Sequence, residues 1–151
     1  MPWLKNYLVI SISAVPLLMQ KMKEDFGQNL LFLSSDKGGK RRTGISGLNK
    51  KRIDSFRIEL SPPKTTLKGK VIGVIDDILE TGGTLSKFYD YAEKSGAKKT
   101  IALITHGPLD KGIKRIKNKF PKLYLTNTVN TKKANVDIAD LIAKAIKISF
   151  K

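Results

Sequence analysis

Two adjacent carboxylates, Asp76 and Asp77, stand where an apolar run from Val71 to Ile75 gives way to Ile78, Leu79 and Glu80, and then to Thr81, Gly82, Gly83 and Thr84. That order of residue types suits a phosphorylated sugar, ribose 5-phosphate in particular. Glycines let the backbone approach a phosphate, while loop amides and a helix N-terminus supply donors and positive potential. The hydroxyls of Thr81 and Thr84 add donors, and the Asp76 or Asp77 carboxylate accepts hydrogen bonds from vicinal sugar hydroxyls. Glu80 either orients the loop, reaches the anomeric hydroxyl, or is simply solvated. An ordinary strand, turn and helix with chance acids would also give some of these residues. The strand, the paired acids and the Thr-Gly-Gly-Thr turn together are a far more specific signal than a glycine loop alone.

A second polar turn, Ser34 to Arg42, follows the apolar run Leu30–Leu33. Asp36 there offers a hard oxygen ligand for Mg²⁺, and Gly38, Gly39, Arg41 and Arg42 offer amides and cations to a diphosphate. Thr105 and His106 follow a third apolar run, Thr100 to Ile104. His106 is the single histidine of the chain. A lone histidine reads first as a structural hydrogen-bonding residue and only second as a proton-transfer group. Trp3, Tyr89 and Tyr91 read as packing residues.

The elements that must position these groups alternate between helical and extended patterns. Val15, Leu18, Met22 and Phe26 mark a helix that Ser13 can cap. Leu30–Leu33 is a short strand, and a weaker helix, broken by Gly44 and Gly47, is expected over Thr43–Arg52. Ser55–Leu60 reads as a strand ended by Pro62 and Pro63. Val71–Ile75 is the clearest strand; Leu85, Phe88, Tyr89 and Ala92 mark the helix after it, with Gly96 as a left-handed cap. Thr100–Ile104 is a strand, Ile113, Ile116 and Phe120 a helix, and Leu123–Leu125 the last strand. Ile138, Leu141, Ile142, Ala145 and Ile146 give a closing helix. The alternation predicts an α/β fold, a three-layer parallel sheet of about five strands with helices on both faces. Ligands gather at the carboxyl ends of such strands, where Asp36, Asp76–Asp77 and Thr105–His106 would converge.

Composition limits the partners. The chain of 151 residues carries 40% hydrophobic and 28% charged residues, which suits one domain with a substantial core. No apolar run approaches the roughly 20 residues of a membrane span. The segment from Leu8 to Met19 lacks a basic leader and is interrupted by Ser11, Ser13 and Pro16, unlike a signal peptide. The absence of cysteine excludes disulfides and thiolate metal sites and fits a cytoplasmic protein. The formal charge is +16, mostly lysine, with arginine at positions 41, 42, 52, 57 and 115. Such a field reads first as a solvated lysine-rich surface, then as attraction for phosphorylated ligands. No nucleic-acid module signature accompanies it, so nucleic acid is not expected as a partner.

The same residues resemble a known family. The Asp-Asp and Thr-Gly-Gly-Thr run looks like the phosphoribosyl-diphosphate (PRPP) motif of type I phosphoribosyltransferases and PRPP synthetases. The turn from Ser34 to Arg42 is similar to the Ser-Pro-Asp-Ala-Gly-Gly run of PRPP synthetases (ribose-phosphate pyrophosphokinases). Thr105-His106-Gly107, Leu125–Thr128, Val136–Ala143 and the Leu8–Leu18 segment resemble further segments of that family, so the likeness covers nearly the whole chain.

The resemblance implies a phosphoribosyltransferase-like fold corresponding to the synthetase's C-terminal half. It implies ribose 5-phosphate or PRPP at Asp76, Asp77, Glu80, Thr81, Gly82, Gly83 and Thr84, and Mg²⁺ at Asp36. The diphosphate of ATP would lie at Gly38, Gly39, Arg41 and Arg42. The N-terminal half, with its His-containing metal motif and ATP-contacting residues, would be a separate partner, and homo-oligomers are expected because the family shares sites across subunits. A Lys-x-Arg element implicated in the family's catalysis is not reproduced: the aligned residues are Arg57 to Glu59 or Glu59 to Ser61. Two other readings stay open, a minimal phosphoribosyltransferase that uses PRPP and a non-catalytic subunit associated with a complete synthetase.

Overall fold

The computed structural model describes residues 9–35, 45, 49–52, 58–61 and 66–149. Its elements are α1 (Val15–Phe26), β1 (Leu30–Ser34), β2 (Asn49–Arg52), β3 (Ile58–Ser61), β4 (Val71–Ile78), α2 (Gly83–Lys94), β5 (Lys99–His106), α3 (Asp110–Lys117), β6 (Leu123–Leu125) and α4 (Ala139–Ser149). The expected site residues Asp36, Gly38, Gly39, Arg41 and Arg42 lie outside the described residues, as does Trp3.

The apolar run that precedes the two carboxylates becomes β4, one of the two strands with a parallel neighbour on each side. β1 pairs with it from Leu30 opposite Val71 to Ser34 opposite Ile75, and β5 from Lys99 opposite Val71 to His106 opposite Ile78. β6 extends the sheet beyond β5, giving the order β1-β4-β5-β6. Strands buried on both faces need apolar residues at successive positions, which is why this segment reads as a run and not as an alternation. Side chains then divide by parity. Ile72, Val74, Ala102 and Ile104 pack with Leu85, Phe88 and Ala92 of α2 and Ile113 and Ile116 of α3. Ile75, Ile101, Leu103 and Tyr124 face Val15, Leu18 and Met22 of α1. Helices therefore cover both faces, as expected.

Local chemistry sets the ends of these elements. Pro16 lies in the first turn of α1, where a missing amide hydrogen costs nothing, and the Ser13 hydroxyl accepts from Val15 N at 3.3 Å. α2 ends in a Schellman arrangement around Gly96 at φ 76°, with Gly96 N on Glu93 O and Ala97 N on Ala92 O. At the outer edge of β6, the Asn135 side chain accepts from Leu125 N at 2.9 Å and donates to Leu123 O at 2.7 Å. An amide thus occupies an edge that would otherwise offer bare strand groups. Tyr124 donates to Asp25 at 2.5 Å, joining β6 to the end of α1. That bond holds the Asp25 carboxyl below its usual range, while burial and the same bond push the Tyr124 hydroxyl up.

Three expectations need correction. The parallel sheet has four described strands and not about five, because the strand expected at Ser55–Leu60 appears as β3, which pairs antiparallel with β2 in a separate two-stranded sheet. The helix expected over Thr43–Arg52 is contradicted at Asn49–Arg52, which is β2; glycines at 44 and 47 and the pairing with β3 outweigh the helical propensity of its lysines. Phe120 falls beyond the end of α3, although its ring still packs edge-on against Tyr89 at 5.0 Å.

At Gly73 β4 leaves no room for a side chain beneath α1. A Cβ there would lie 2.7 Å from the Phe32 ring and 2.8 Å from the Met22 sulfur. Gly73→Val is therefore expected to overpack this face and cost about 1–3 kcal/mol, read from chemical denaturation. An unchanged unfolding midpoint would show that α1 is not seated as described.

Candidate active site at the carboxyl end of the sheet

β4 delivers its two carboxylates half-buried at its carboxyl end, and Asp76 Oδ1 accepts from Asp77 N at 3.1 Å. The chain then stays anchored to the sheet for one more residue, since Leu79 N donates to His106 O at 2.8 Å. Leu79 is buried, which pins the turn from beneath and leaves Glu80 and Thr81 exposed above it. Gly82 takes the left-handed conformation, φ 70° and ψ 9°, and its carbonyl accepts from Ser86 N to close the first turn of α2. Among the described residues no side chain caps this helix. Its first amides have no partner within the helix, and a helix N-terminus of this kind can bind an anion.

Ten consecutive residues, Asp76 to Leu85, line one pocket of about 250 Å³. This is smaller than the ~300–1,000 Å³ of sites for drug-sized molecules, and it suits a sugar phosphate. Carboxylates stand at one end of the lining and uncapped amides at the other. All seven residues expected to touch the sugar phosphate line this pocket: Asp76, Asp77, Glu80, Thr81, Gly82, Gly83 and Thr84.

The turn is held in place by α3. A Cβ on Gly112 would lie 2.2 Å from the Glu80 carbonyl oxygen, and one on Gly82 would lie 2.9 Å from Ile116 Cγ2. The helix can approach this closely only because both positions are glycine.

The neighbouring rim is a hydroxyl network. Thr126 Oγ1 and Thr128 Oγ1 both donate to the Thr105 carbonyl, at 2.6 and 2.7 Å. With that hydrogen committed, the Thr128 oxygen accepts from His106 Nδ1 at 2.7 Å, which places the ring hydrogen on Nδ1. His106 thereby ties β5 to the segment after β6. Its nature as a hydrogen-bonding residue was legible from its being alone, but its partner was not. Ser34 and Ser35 are buried at the end of β1, their hydroxyls without hydrogen-bond partners among the described residues, and Ser35 N donates to Ile75 O beside Asp76. The sequence marks neither serine except by adjacency to Asp36. Among the described residues no three acidic, histidine or cysteine side chains gather as a metal cluster. A hard divalent cation here would rely on one or two carboxylates completed by substrate phosphates and water, a normal arrangement for Mg²⁺.

Fold and site together define a protein of the phosphoribosyltransferase fold: a parallel sheet with an acidic pair, a glycine turn and a helix at its carboxyl end. Structural likeness agrees. A hypoxanthine-guanine phosphoribosyltransferase from Bacillus anthracis superposes with a TM-score of 0.55 over 85% of this chain and 94% of its own, at 13% identity. The PRPP synthetase of Mycobacterium smegmatis superposes with a TM-score of 0.70 over 91% of this chain and 50% of its own, at 25% identity. Ribose-phosphate pyrophosphokinases of Thermococcus kodakarensis and Pyrococcus abyssi are 30% and 33% identical, over 89% and 81% of this chain and 51% and 46% of theirs. No protein-family model matches. The chain is a homologue of the C-terminal half of the ribose-phosphate pyrophosphokinases, and it spans about half the length of these relatives.

The seat of the turn can be tested without a ligand. Gly112→Ala drives a methyl group into a backbone carbonyl, which cannot rotate away as a side chain can. It is expected to cost about 1–3 kcal/mol in chemical denaturation and to displace the Glu80–Gly82 amide resonances. Wild-type stability with unshifted resonances would refute the contact.

Proposed function

We propose that this chain is the ribose 5-phosphate-binding half of a PRPP synthetase. One observation carries the reading: a single small pocket made from Asp76 to Leu85 joins paired carboxylates to an uncapped helix N-terminus. In this reading Asp76 and Asp77 accept the vicinal ribose hydroxyls, and Thr81 to Thr84 cradle the 5-phosphate with backbone amides and hydroxyls. Glu80 orients the turn or reaches the anomeric hydroxyl. Asp36 holds Mg²⁺, and Gly38, Gly39, Arg41 and Arg42 border the diphosphate. Residues 1–151 act as one domain.

The family reaction moves the β,γ-diphosphate of ATP to the anomeric hydroxyl of ribose 5-phosphate. The anomeric oxygen bonds to the β-phosphorus, the bond from that phosphorus to the α,β-bridging oxygen breaks, AMP leaves and the hydroxyl proton is lost. Positioning and charge neutralisation dominate such transfers. Mg²⁺ supplies part of that neutralisation; the acidic pair and the phosphate turn fix the acceptor in place. The nucleotide is supplied by a partner N-terminal half, and the complete enzyme is a homo-oligomer. An apolar groove between residues 10–16 and α4, lined in part by the exposed Ile10, Ile12 and Ile148, supports an association surface here. No helix among the described residues is long and apolar enough to cross a membrane, and the lack of cysteine suits a cytoplasmic setting. One sequence observation favours a second reading, a non-catalytic subunit that binds the sugar phosphate for a complete synthetase: the Lys-x-Arg element has no counterpart between Arg57 and Ser61.

Calorimetry should detect saturable binding of ribose 5-phosphate or PRPP, and Asp77→Asn should weaken it by about 1.5–3 kcal/mol, the range for a hydrogen bond to a charged group. Equal affinity in the two proteins would remove Asp77 from the sugar, and no binding by the wild type would overturn the reading.

Turnover separates the two readings. Alone, the chain is expected to make little PRPP from Mg·ATP and ribose 5-phosphate. The N-terminal half of a relative, added separately, should raise the rate by orders of magnitude through positioning and electrostatics. Rapid PRPP synthesis by the isolated chain would contradict the need for a partner half, and no gain with the added half would favour the non-catalytic subunit.

A further inference from the structure

The two glycines of the turn are glycine for different reasons. At Gly82 the protein itself demands it, through a positive φ of 70° and the contact with Ile116. At Gly83 neither demand exists. Its φ is not in the left-handed region, and among the described residues a Cβ would meet Thr81 Oγ1 at 3.7 Å and Arg115 Nη1 at 3.8 Å, both ordinary contact distances. The protein would tolerate alanine here. What glycine leaves open is a space whose two nearest walls are hydrogen-bond donors, one a hydroxyl and the other a guanidinium.

Arg115 stands outside the residues that line the pocket, and no part of the Asp-Asp to Thr-Gly-Gly-Thr motif points to it. Its place follows from packing. α3 is clamped to the turn through Gly112 and Ile116, so the intervening exposed position, three residues after Gly112, comes beside Gly83. Around it the exposed cations of α3 are Lys111, Lys114 and Lys117. In a chain whose basic residues are mostly lysine, the cation of this helix that stands beside Gly83 is an arginine. The planar guanidinium can present two parallel N–H groups to phosphate oxygens, which an ammonium cannot.

We infer that Arg115 is a phosphate-binding residue of this site, and that Gly83 keeps the space between Arg115 and Thr81 open for the phosphate group. The inference rests on the ribose-phosphate reading and extends the site beyond the turn to α3. Backbone amides and the helix end supply partial charges; among the described residues Arg115 supplies a full positive charge beside Gly83. It favours the dianion of a sugar phosphate over its monoanion, and a phosphorylated sugar over the free sugar.

The test is calorimetric titration of ribose 5-phosphate into the wild type, Arg115→Gln, Arg115→Lys and Gly83→Ala at pH 5.5 and 7.5. The wild type should bind more tightly at pH 7.5, because the phosphate takes its second negative charge near pH ~6. Arg115→Gln should bind roughly ten-fold more weakly at pH 7.5, as expected for loss of one charge-assisted hydrogen bond, and should show a smaller gain between the two pH values. Arg115→Lys should fall between them. Gly83→Ala should unfold at the wild-type temperature yet bind weakly. If the wild type binds and Arg115→Gln matches it in affinity and in pH dependence, Arg115 has no role in binding and the ribose-phosphate reading stands. If the wild type itself does not bind, that reading fails and the role of Arg115 fails with it. Arg115 is exposed, so its variants carry the test even if Gly83→Ala does not fold.

Discussion

A helix pressed against a backbone carbonyl fixes the site. Where α3 passes the Glu80 carbonyl, there is no room for even one methyl group on Gly112. Everything that follows in the turn inherits its position from that contact: the left-handed Gly82 wedged against Ile116, the first turn of α2, and the amides that face the pocket. α3 can press so closely because its apolar side, Ile113 and Ile116, is buried in the core that covers one face of the sheet. The burial of those side chains, worth about 1.5–3 kcal/mol each, holds the clamp shut. The position of the Glu80–Thr84 turn is therefore a property of the core and not of the turn alone.

The sheet supplies the second constraint. Parallel pairing of β1, β4, β5 and β6 sends every carboxyl end to the same rim. Groups far apart in sequence meet there because their strands are paired: Ser34 and Ser35, the acidic pair, and the Thr105–His106 step. The Thr105 carbonyl, which accepts from two threonine hydroxyls, and His106, which reaches Thr128, stitch the end of β5 to the segment beyond β6. This network stiffens the floor next to the pocket. It offers a structural purpose for the chain's single histidine that needs no proton transfer.

The parts of this architecture legible in the sequence are those where one physical cause acts alone. Val71–Ile75 reads as a strand because both its faces are buried, and the glycine at 96 reads as a helix end because it must take a positive φ. The acidic pair and the turn were legible as a set because phosphate and sugar hydroxyls demand opposite chemistries within one short stretch. Other features depend on partners that spacing does not reveal. Asn49–Arg52 is rich in lysine and follows glycines at 44 and 47, and only its pairing with β3 makes it a strand. Asn135 gives no sign in the sequence that it occupies the edge of β6. Arg115 looks like one more surface cation until the packing of α3 brings it to Gly83. The outer residues of the candidate site, Asp36 through Arg42, are legible only as chemistry, since they fall outside the described structure.

The central claim is that the turn from Glu80 to Thr84 is a preformed phosphate cradle. Titration of the ¹⁵N-labelled chain with ribose 5-phosphate, followed by backbone amide resonances, tests it most directly. The account predicts saturable shifts concentrated at the amides of residues 80–84, with Asp76 and Asp77 following and the lysine-rich surface elsewhere nearly silent. Shifts that spread over exposed lysine-bearing segments, grow linearly without saturating and leave residues 80–84 unmoved would contradict it.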